Sequence, residues 1–398
     1  MRVRPLAIYD WKTGKRLAYL ENAKDISYKQ QLNGAWTGSF TLPYSDEKNK
    51  YCNVFNLVEM WDIETIPDPN PYVPDLIEDG PPQGSYTGMV GPITYYGSKI
   101  VDLGYTIPPE IEVHRYIGLF RIMPVLDDSN EDNVREVTYT LEHVFTTLLD
   151  DYIIGTLELG GVGEETTDEV IETILSYQND EKWVLNECDY SDEFKYEFED
   201  MNLLSSLYYV VGALSDDHYW SFNTQNSPWE LNLKTVSNIP IADIRYKKNI
   251  FGIRKKTDPR SLCTRLYIYG KDGISFSSIN GGNEYVESAE GIENYGVITS
   301  VMHDDRFETA QSLLDYANAL IAKLKDPFVT YEVDTKLIYA ASKLQIGDTV
   351  RVVTEDGFDQ NLIVQEYSKD DLTGNPNLGK LVIGQGTVDI GLIVKSFI

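Results

Sequence analysis

Cysteine and histidine are both scarce, at three and four among 398 residues. Cys52, Cys188 and Cys263 are odd in number and far apart in the chain. That excludes a disulfide framework, and the lack of paired Cys or Cys/His spacing argues against a structural zinc site. The three read instead as small buried apolar residues. His114, His143, His218 and His303 are dispersed and form no close ligand pair. A general base among them would have to be found by geometry, because spacing does not reveal it. Long apolar runs are missing as well. Tyr208–Leu214 is among the longest, far short of the ~20 residues a membrane helix needs. The opening Met-Arg-Val-Arg-Pro has no apolar signal segment. Neither a signal peptide nor stable membrane insertion is expected.

Positive charge is in short supply: 34 Lys and Arg stand against 63 Asp and Glu, a net charge of −29. Such a surface repels phosphate and disfavours tight nucleic-acid binding. The common catalytic signatures are absent. There is no Gly-x-Ser-x-Gly elbow and no His-Glu-x-x-His. Gly14-Lys15, Gly270-Lys271 and Gly379-Lys380 lack the Ser or Thr of a phosphate loop. Gly160-Gly-Val-Gly163 fits neither dinucleotide nor phosphate spacing and reads as a flexible loop. Asp128–Asn133 begins like a calcium loop but lacks the required glycine at Asn133 and the closing Glu at Tyr139. Paired acids such as Asp127-Asp128, Asp150-Asp151, Asp216-Asp217, Asp304-Asp305 and Asp370-Asp371 could flank a glycosidic bond. In so acidic a chain they read first as solvated turns. No cofactor, metal or catalytic residue is assigned.

What is present is strand signal. Val3–Tyr9, Ile26–Gln31, Trp36–Leu42, Leu57–Ile63, Tyr116–Met123 and Arg135–Leu141 are short alternating or β-branched runs bounded by turn residues. They predict a small curved sheet or barrel over 1–145. Residues 64–112 interrupt it with nine of the chain's 17 prolines. Proline lacks the N–H a ladder needs, so this stretch is an insertion, either a surface loop or an arm that docks on a neighbour. Residues 146–244 predict an α+β domain. It holds a helix capped near Thr166, a second over Asn202–Leu214, and strands at His218–Asn223 and Trp229–Val236. Strands at Leu262–Tyr269 and Ile274–Ile279 and those after Pro327 predict a second barrel, 245–305 plus 328–398. An inserted amphipathic helix occupies 306–327, its stripe running Ala310, Leu313, Leu314, Ala317, Leu320, Ile321 and Leu324. The fold class expected is mainly β with α+β: two small β-barrels, an intervening α+β domain and an inserted long helix.

One basic cluster stands out. Arg245, Lys247, Lys248, Arg254, Lys255, Lys256, Arg260 and Arg265 gather eight bases in 21 residues. On so acidic a protein they read as a seam with an acidic neighbour or as a solvated face. Arg245, Lys247, Lys248, Arg254, Lys255 and Lys256 are the candidate interface residues. The 28 tyrosines mostly alternate within strands, as packing residues do, though clustered exposed rings would suit sugar stacking.

The order of motifs carries a resemblance. The opening runs from Leu6-Ala-Ile-Tyr-Asp10 to Ser39-Phe-Thr-Leu-Pro43. Tyr116–Ile122, Val137–Val144 and Leu262–Gly270 follow. The helix then stops at Asp326-Pro327, a strand starts at Val329, and Leu344-Gln-Ile-Gly-Asp-Thr-Val-Arg-Val-Val353 turns into another. This sequence of elements resembles the baseplate-hub, or tail-associated, proteins of long-tailed bacteriophages and prophages, in particular their prophage endopeptidase-tail N-terminal region. The resemblance implies a non-enzymatic structural protein of the virion tail tip, assembled in the bacterial host cytoplasm. It implies a homotrimer whose paired barrels match a hexameric distal tail ring and close or line a DNA channel. Receptor-binding and tape-measure proteins are further implied partners. Many relatives continue into a peptidoglycan hydrolase or fibre; this sequence reaches Ile398 soon after the second barrel, so a short hub is expected. The acidic surface would let DNA pass without sticking. Two alternatives stand beside this reading: a host-surface polysaccharide-binding protein, and a cell-wall endopeptidase or hydrolase.

Overall fold

A computed structural model of the chain describes residues 5–67, 93–96, 99–102, 110–129, 135–245, 252–336, 344–353, 357–374 and 378–386. The N-terminal part contributes β1 (Leu6–Tyr9), β2 (Arg16–Tyr19), β3 (Lys24–Gln31), β4 (Thr37–Pro43), β5 (Leu57–Pro67), β6 (Ile93–Tyr96), β7 (Lys99–Asp102), β8 (Glu110–Ser129) and β9 (Arg135–His143). Their two-residue period decides which side is buried. Along β9, Val137, Tyr139, Leu141 and His143 turn inward while their neighbours face out. Ile26, Tyr28 and Gln30 do the same on β3.

The middle of the chain forms β10 (Tyr152–Leu159), α1 (Thr167–Leu175), β11 (Trp183–Cys188), β12 (Tyr196–Asn202), α2 (Leu203–Val211), β13 (His218–Asn223) and β14 (Trp229–Thr235). The first helix starts where the sequence predicts: the Glu169 carboxylate accepts the Thr166 N–H at 3.0 Å. Asn202 caps the second by accepting the Ser205 N–H at 2.8 Å. Then come β15 (Ala242–Arg245), β16 (Gly252–Asp258), β17 (Arg265–Tyr269), β18 (Tyr285–Glu287), α3 (Ala289–Tyr295), β19 (Thr299–His303), α4 (Ala310–Leu324), β20 (Phe328–Lys336), β21 (Thr349–Val353), β22 (Asp359–Lys369) and β23 (Leu378–Gly384).

The protein is mostly β, as expected, but the two separate barrels are not what the strands build. Seven N-terminal and six C-terminal strands share one 13-stranded sheet, ordered β16-β20-β23-β22-β3-β4-β9-β8-β5-β1-β2, with β21 and β15 branching from β22. No closed barrel forms among the described residues. The physical reason is the joint between β22 and β3. Glu366 to Lys369 pair antiparallel with Gln31 to Tyr28, so each half satisfies its edge on the other half rather than on itself. The predicted inserted helix is part of a larger excursion between β16 and β20. That excursion has its own sheet, β18-β17-β19, which includes the strand expected from Leu262. Ile274–Ile279 forms no strand; Phe276 is fully buried in a turn.

Two cores result. One lies under the 13-stranded sheet and draws on both ends of the chain, from Leu6 and Phe40 to Val364 and Ile383. The other joins the middle elements to the excursion, from Val144 and Trp183 to Phe307 and Leu324. In α4, Leu313, Ala317, Leu320, Ile321 and Leu324 are buried in this second core. The proline-rich insertion is shorter than the 64–112 expected: β5 and β8 stay paired out to Pro67 and Glu110, so 64–67 and 110–112 belong to the ladder.

The joint is pinned by charge. Lys369 on β22 and Asp62 on β5 meet at 2.7 Å, with side chains 1% and 0% exposed. Tyr28 on β3 donates to the same Asp62 oxygen at 2.9 Å, and its ring lies 6.0 Å from Tyr367. The Arg115 guanidinium stands 4.8 Å over Tyr367 and donates to Gln30 at 3.3 Å. Burial, then the neighbouring Tyr367 and Asp62, push the Tyr28 phenol well above its ordinary range, so it stays a donor. Removing one partner leaves a buried uncompensated charge. Asp62→Ala or Lys369→Met alone is expected to cost about 3–5 kcal/mol in urea unfolding. The double variant Asp62→Leu/Lys369→Met should recover most of that; equal or additive losses would contradict the pairing.

Candidate functional site

Between the β1–β2 hairpin, the β5–β8 ladder and the middle elements of the chain lies a cleft of about 870 Å³. Its floor is tied together by hydrogen bonds. Tyr9 donates to Glu59 at 2.7 Å, and burial, then Glu59, push the Tyr9 phenol up to about 12. The Tyr116 and Thr224 hydroxyls meet at 2.8 Å, and Thr224 Oγ1 accepts the Leu119 N–H at 3.2 Å. Arg121, 6% exposed, donates to the exposed Asp150 at 2.5 Å and to the Thr146 carbonyl at 3.2 Å. At the rim stand Trp11 and Phe55, 40% and 48% exposed. The Lys12 and Lys182 ammonium groups lie 5.3 and 5.6 Å from the Trp11 ring centre. Phe55 has φ +72, a left-handed conformation that is costly for a bulky residue.

An aromatic cluster joins the large sheet to the middle elements of the chain. The His143 ring sits 4.9 Å from Trp36 and 4.9 Å from Phe222. Its Nδ1 accepts the Phe145 N–H at 3.3 Å. Burial alone holds the imidazole down to about 3, so it is neutral at pH 7 and a poor base. Asn33, in the β3–β4 turn, donates to the His218 carbonyl at 2.8 Å and accepts the Trp220 N–H at 3.1 Å, extending the contact.

The Ile346-Gly-Asp348 motif gains a physical meaning. Gly347 has φ +90, and a Cβ there would meet the Tyr219 ring at 2.7 Å. Only glycine fits both constraints. Asp348 accepts the Gln345 N–H at 2.6 Å and closes the turn. Arg306 plays a similar linking role. It donates to the Gly212 carbonyl at 3.2 Å and to Asp304 at 2.7 and 2.6 Å. Burial disfavours its charge, but Asp304 outweighs that and holds the guanidinium above its ordinary value. It thereby caps the carbonyl end of α2.

The structure disperses the other sequence candidates. Arg245 pairs with Asp243 at 2.8 Å on β15. Arg254, Lys255 and Lys256 lie on β16, where Arg254 meets Glu332 at 3.0 Å and Lys255 lies 6.0 Å over Tyr331. These two strands do not pair with each other, and Lys247 and Lys248 lie outside the described residues. His114 is 3.7 Å from Glu112, and His303 stacks on Tyr269. Burial raises all three thiols, Cys52 to about 12 and Cys188 to about 11. The 160–163 loop binds its own carboxylates: Gly160 N–H donates to Glu165 at 3.0 Å and Gly163 N–H to Glu193 at 2.7 Å. Several acid pairs have structural partners, among them Asp217 with Lys323 at 3.1 Å and Asp370 with Lys380 at 2.6 Å. The tip of the calcium-like loop lies outside the described residues.

Sequence and fold together define a phage tail protein. The prophage endopeptidase tail family matches residues 240–391, and its N-terminal domain matches residues 6–66. Together the matches span more than half of the chain, which belongs to this family. The fold is similar to that of prophage tail protein gp18 from Listeria monocytogenes, at 15% identity and TM-score 0.59, covering 99% of this chain and 98% of that one. It is also similar to a tail protein from Neisseria meningitidis, at 11% identity and TM-score 0.59, covering 96% of each chain. A prophage MuSo2 tail protein from Shewanella oneidensis matches at 11% identity and TM-score 0.55, again over 96% of each. None of the curated proteins matches the chain.

The buried imidazole gives a pH test. The folded pKa of His143 lies below the unfolded value of about 6.5, so between the two the unfolded chain binds the extra proton. Stability therefore falls as pH falls through that window. His143→Leu should flatten urea-measured stability against pH between about pH 6 and about pH 4, by up to about 1.4 kcal/mol per pH unit. An unchanged slope would contradict a neutral buried His143.

Proposed function

We propose that this chain is a structural tail-tip hub, a homotrimer whose three copies form a ring. The observation that carries this reading is the single sheet that fuses an N-terminal and a C-terminal β-module in each subunit. Three copies present six such modules, which suits a seat against a hexameric distal tail ring. Receptor-binding or tape-measure proteins are further proposed contacts. Three copies would carry a net charge of −87, from −29 each, and a channel lined by such a surface lets DNA leave without adhering. The proposed role is assembly and symmetry matching at the virion tail tip, not bond cleavage.

The basic edge strand is the proposed seam between copies. The Arg254 side chain is 81% exposed, and Lys255 and Lys256 beside it are exposed as well. A fit partner is the acidic outer side of β12, where Glu197, Glu199 and Asp200 are exposed. Lys on an edge strand also blocks indiscriminate strand pairing, so the same residues would favour one acidic neighbour and reject others. Native mass measurement at low salt is expected to give three times the monomer mass. Arg254→Glu/Lys256→Glu should shift the particle toward monomer without loss of secondary structure. A wild-type chain that stays monomeric at high concentration would overturn the trimer, and an unaffected trimer in the variant would overturn the seam.

A further inference from the structure

We propose that the cleft beside Trp11 is a binding site for a neutral oligosaccharide, a role separate from ring assembly. Its volume of about 870 Å³ falls within the range of small-ligand clefts, about 300–1,000 Å³. Its charges tell which ligands it rejects. The lining carries three cations, Lys12, Arg121 and Lys182, and four carboxylates, Glu59, Asp150, Asp151 and Asp180. Arg121 is spent on Asp150, and Lys182 lies 3.1 Å from Asp180. No surplus of positive charge remains for a phosphate or carboxylate ligand, and the −29 net charge of the chain opposes one further.

The remaining chemistry suits a ring with apolar C–H faces and a girdle of hydroxyls. Trp11 and Phe55 offer aromatic surface at the rim. The exposed amides of Gln225 and Asn226 and the outer carboxylates of Asp150 and Asp180 offer donors and acceptors for vicinal hydroxyls. Arg121, buried and hydrogen-bonded at both Nη atoms, fixes Asp150 while its Nε has no protein partner among the described residues. Phe55 adds the second, independent observation. Its φ of +72 holds a bulky, half-exposed ring over the cleft at a cost in backbone strain. Strain of that kind, kept on an exposed aromatic at the mouth of a cavity, points to a contact made there.

The test titrates the full chain with chitotetraose, maltotetraose, cellotetraose and mannotetraose, reading tryptophan fluorescence and calorimetry. At least one should bind saturably. Trp11→Ala should weaken it about tenfold or more, the loss expected when an aromatic anchor is truncated. Phe55→Asn relieves the left-handed backbone, so it should keep or raise the thermal midpoint while also weakening binding; a merely structural Phe55 would leave the affinity unchanged. Failure of all four sugars overturns the proposal, as does unchanged affinity in Trp11→Ala or tighter binding of a sialylated or sulfated tetrasaccharide. These outcomes are independent of the oligomeric state, so the site and the trimer stand or fall separately.

Discussion

The pairing of β22 with β3 is the constraint on which the rest of this structure depends. It brings Lys369 and Asp62, which lie at opposite ends of the chain, into a contact that excludes water. An ion pair so deeply buried is a poor source of net stability, because desolvation offsets much of the attraction. What it gives is register. A one-residue slip of β22 against β3 would turn Lys369 to the other face and take the ammonium away from the buried Asp62 carboxylate, leaving it only the Tyr28 hydroxyl. The tyrosines around it, Tyr28 and Tyr367, reinforce the same register with ring contacts and a hydrogen bond. A single sheet built from both ends of the chain follows, and with it two β-modules that share one hydrogen-bonded ladder.

The second core hangs from that sheet through a few specific links. Asn33 reaches the backbone of β13, Gly347 lets the turn before β21 press against Tyr219, and Arg306 closes the end of α2. Each is a polar or glycine position, so each fixes orientation more than it adds apolar burial. The aromatic cluster around His143 fills the space between the two cores. The cleft opens at the margin of that same junction, where a hairpin, a ladder and a loop from three parts of the chain come together.

Much of the local structure was legible from the residues. His218–Asn223 is a strand with the predicted bounds, and the Thr166 cap, the Asn202 helix start and the α4 stripe follow from patterns of three to four residues. Elements whose outward faces are heavily charged were missed, such as β12 with its Glu197, Glu199 and Asp200, because alternation there resembles an acidic loop. The separate barrels were a reasonable expectation from strand runs alone. Which edges pair is decided by contacts over 300 residues apart, and periodicity carries no such information. The cleft was illegible for the same reason: Trp11, Arg121 and Asn226 have no common spacing. One signal was available, a tryptophan isolated in the polar turn between Asp10 and Lys15.

Amide hydrogen exchange in the native state tests the central claim most directly, because it measures how each strand opens. If both modules form one cooperative sheet, the slowest amides of β3 and β4 and those of β22 and β23 will share one opening free energy and one dependence on denaturant. If the C-terminal strands open well below the N-terminal ones, the modules are independent units and a single sheet locked at the β22–β3 joint is contradicted.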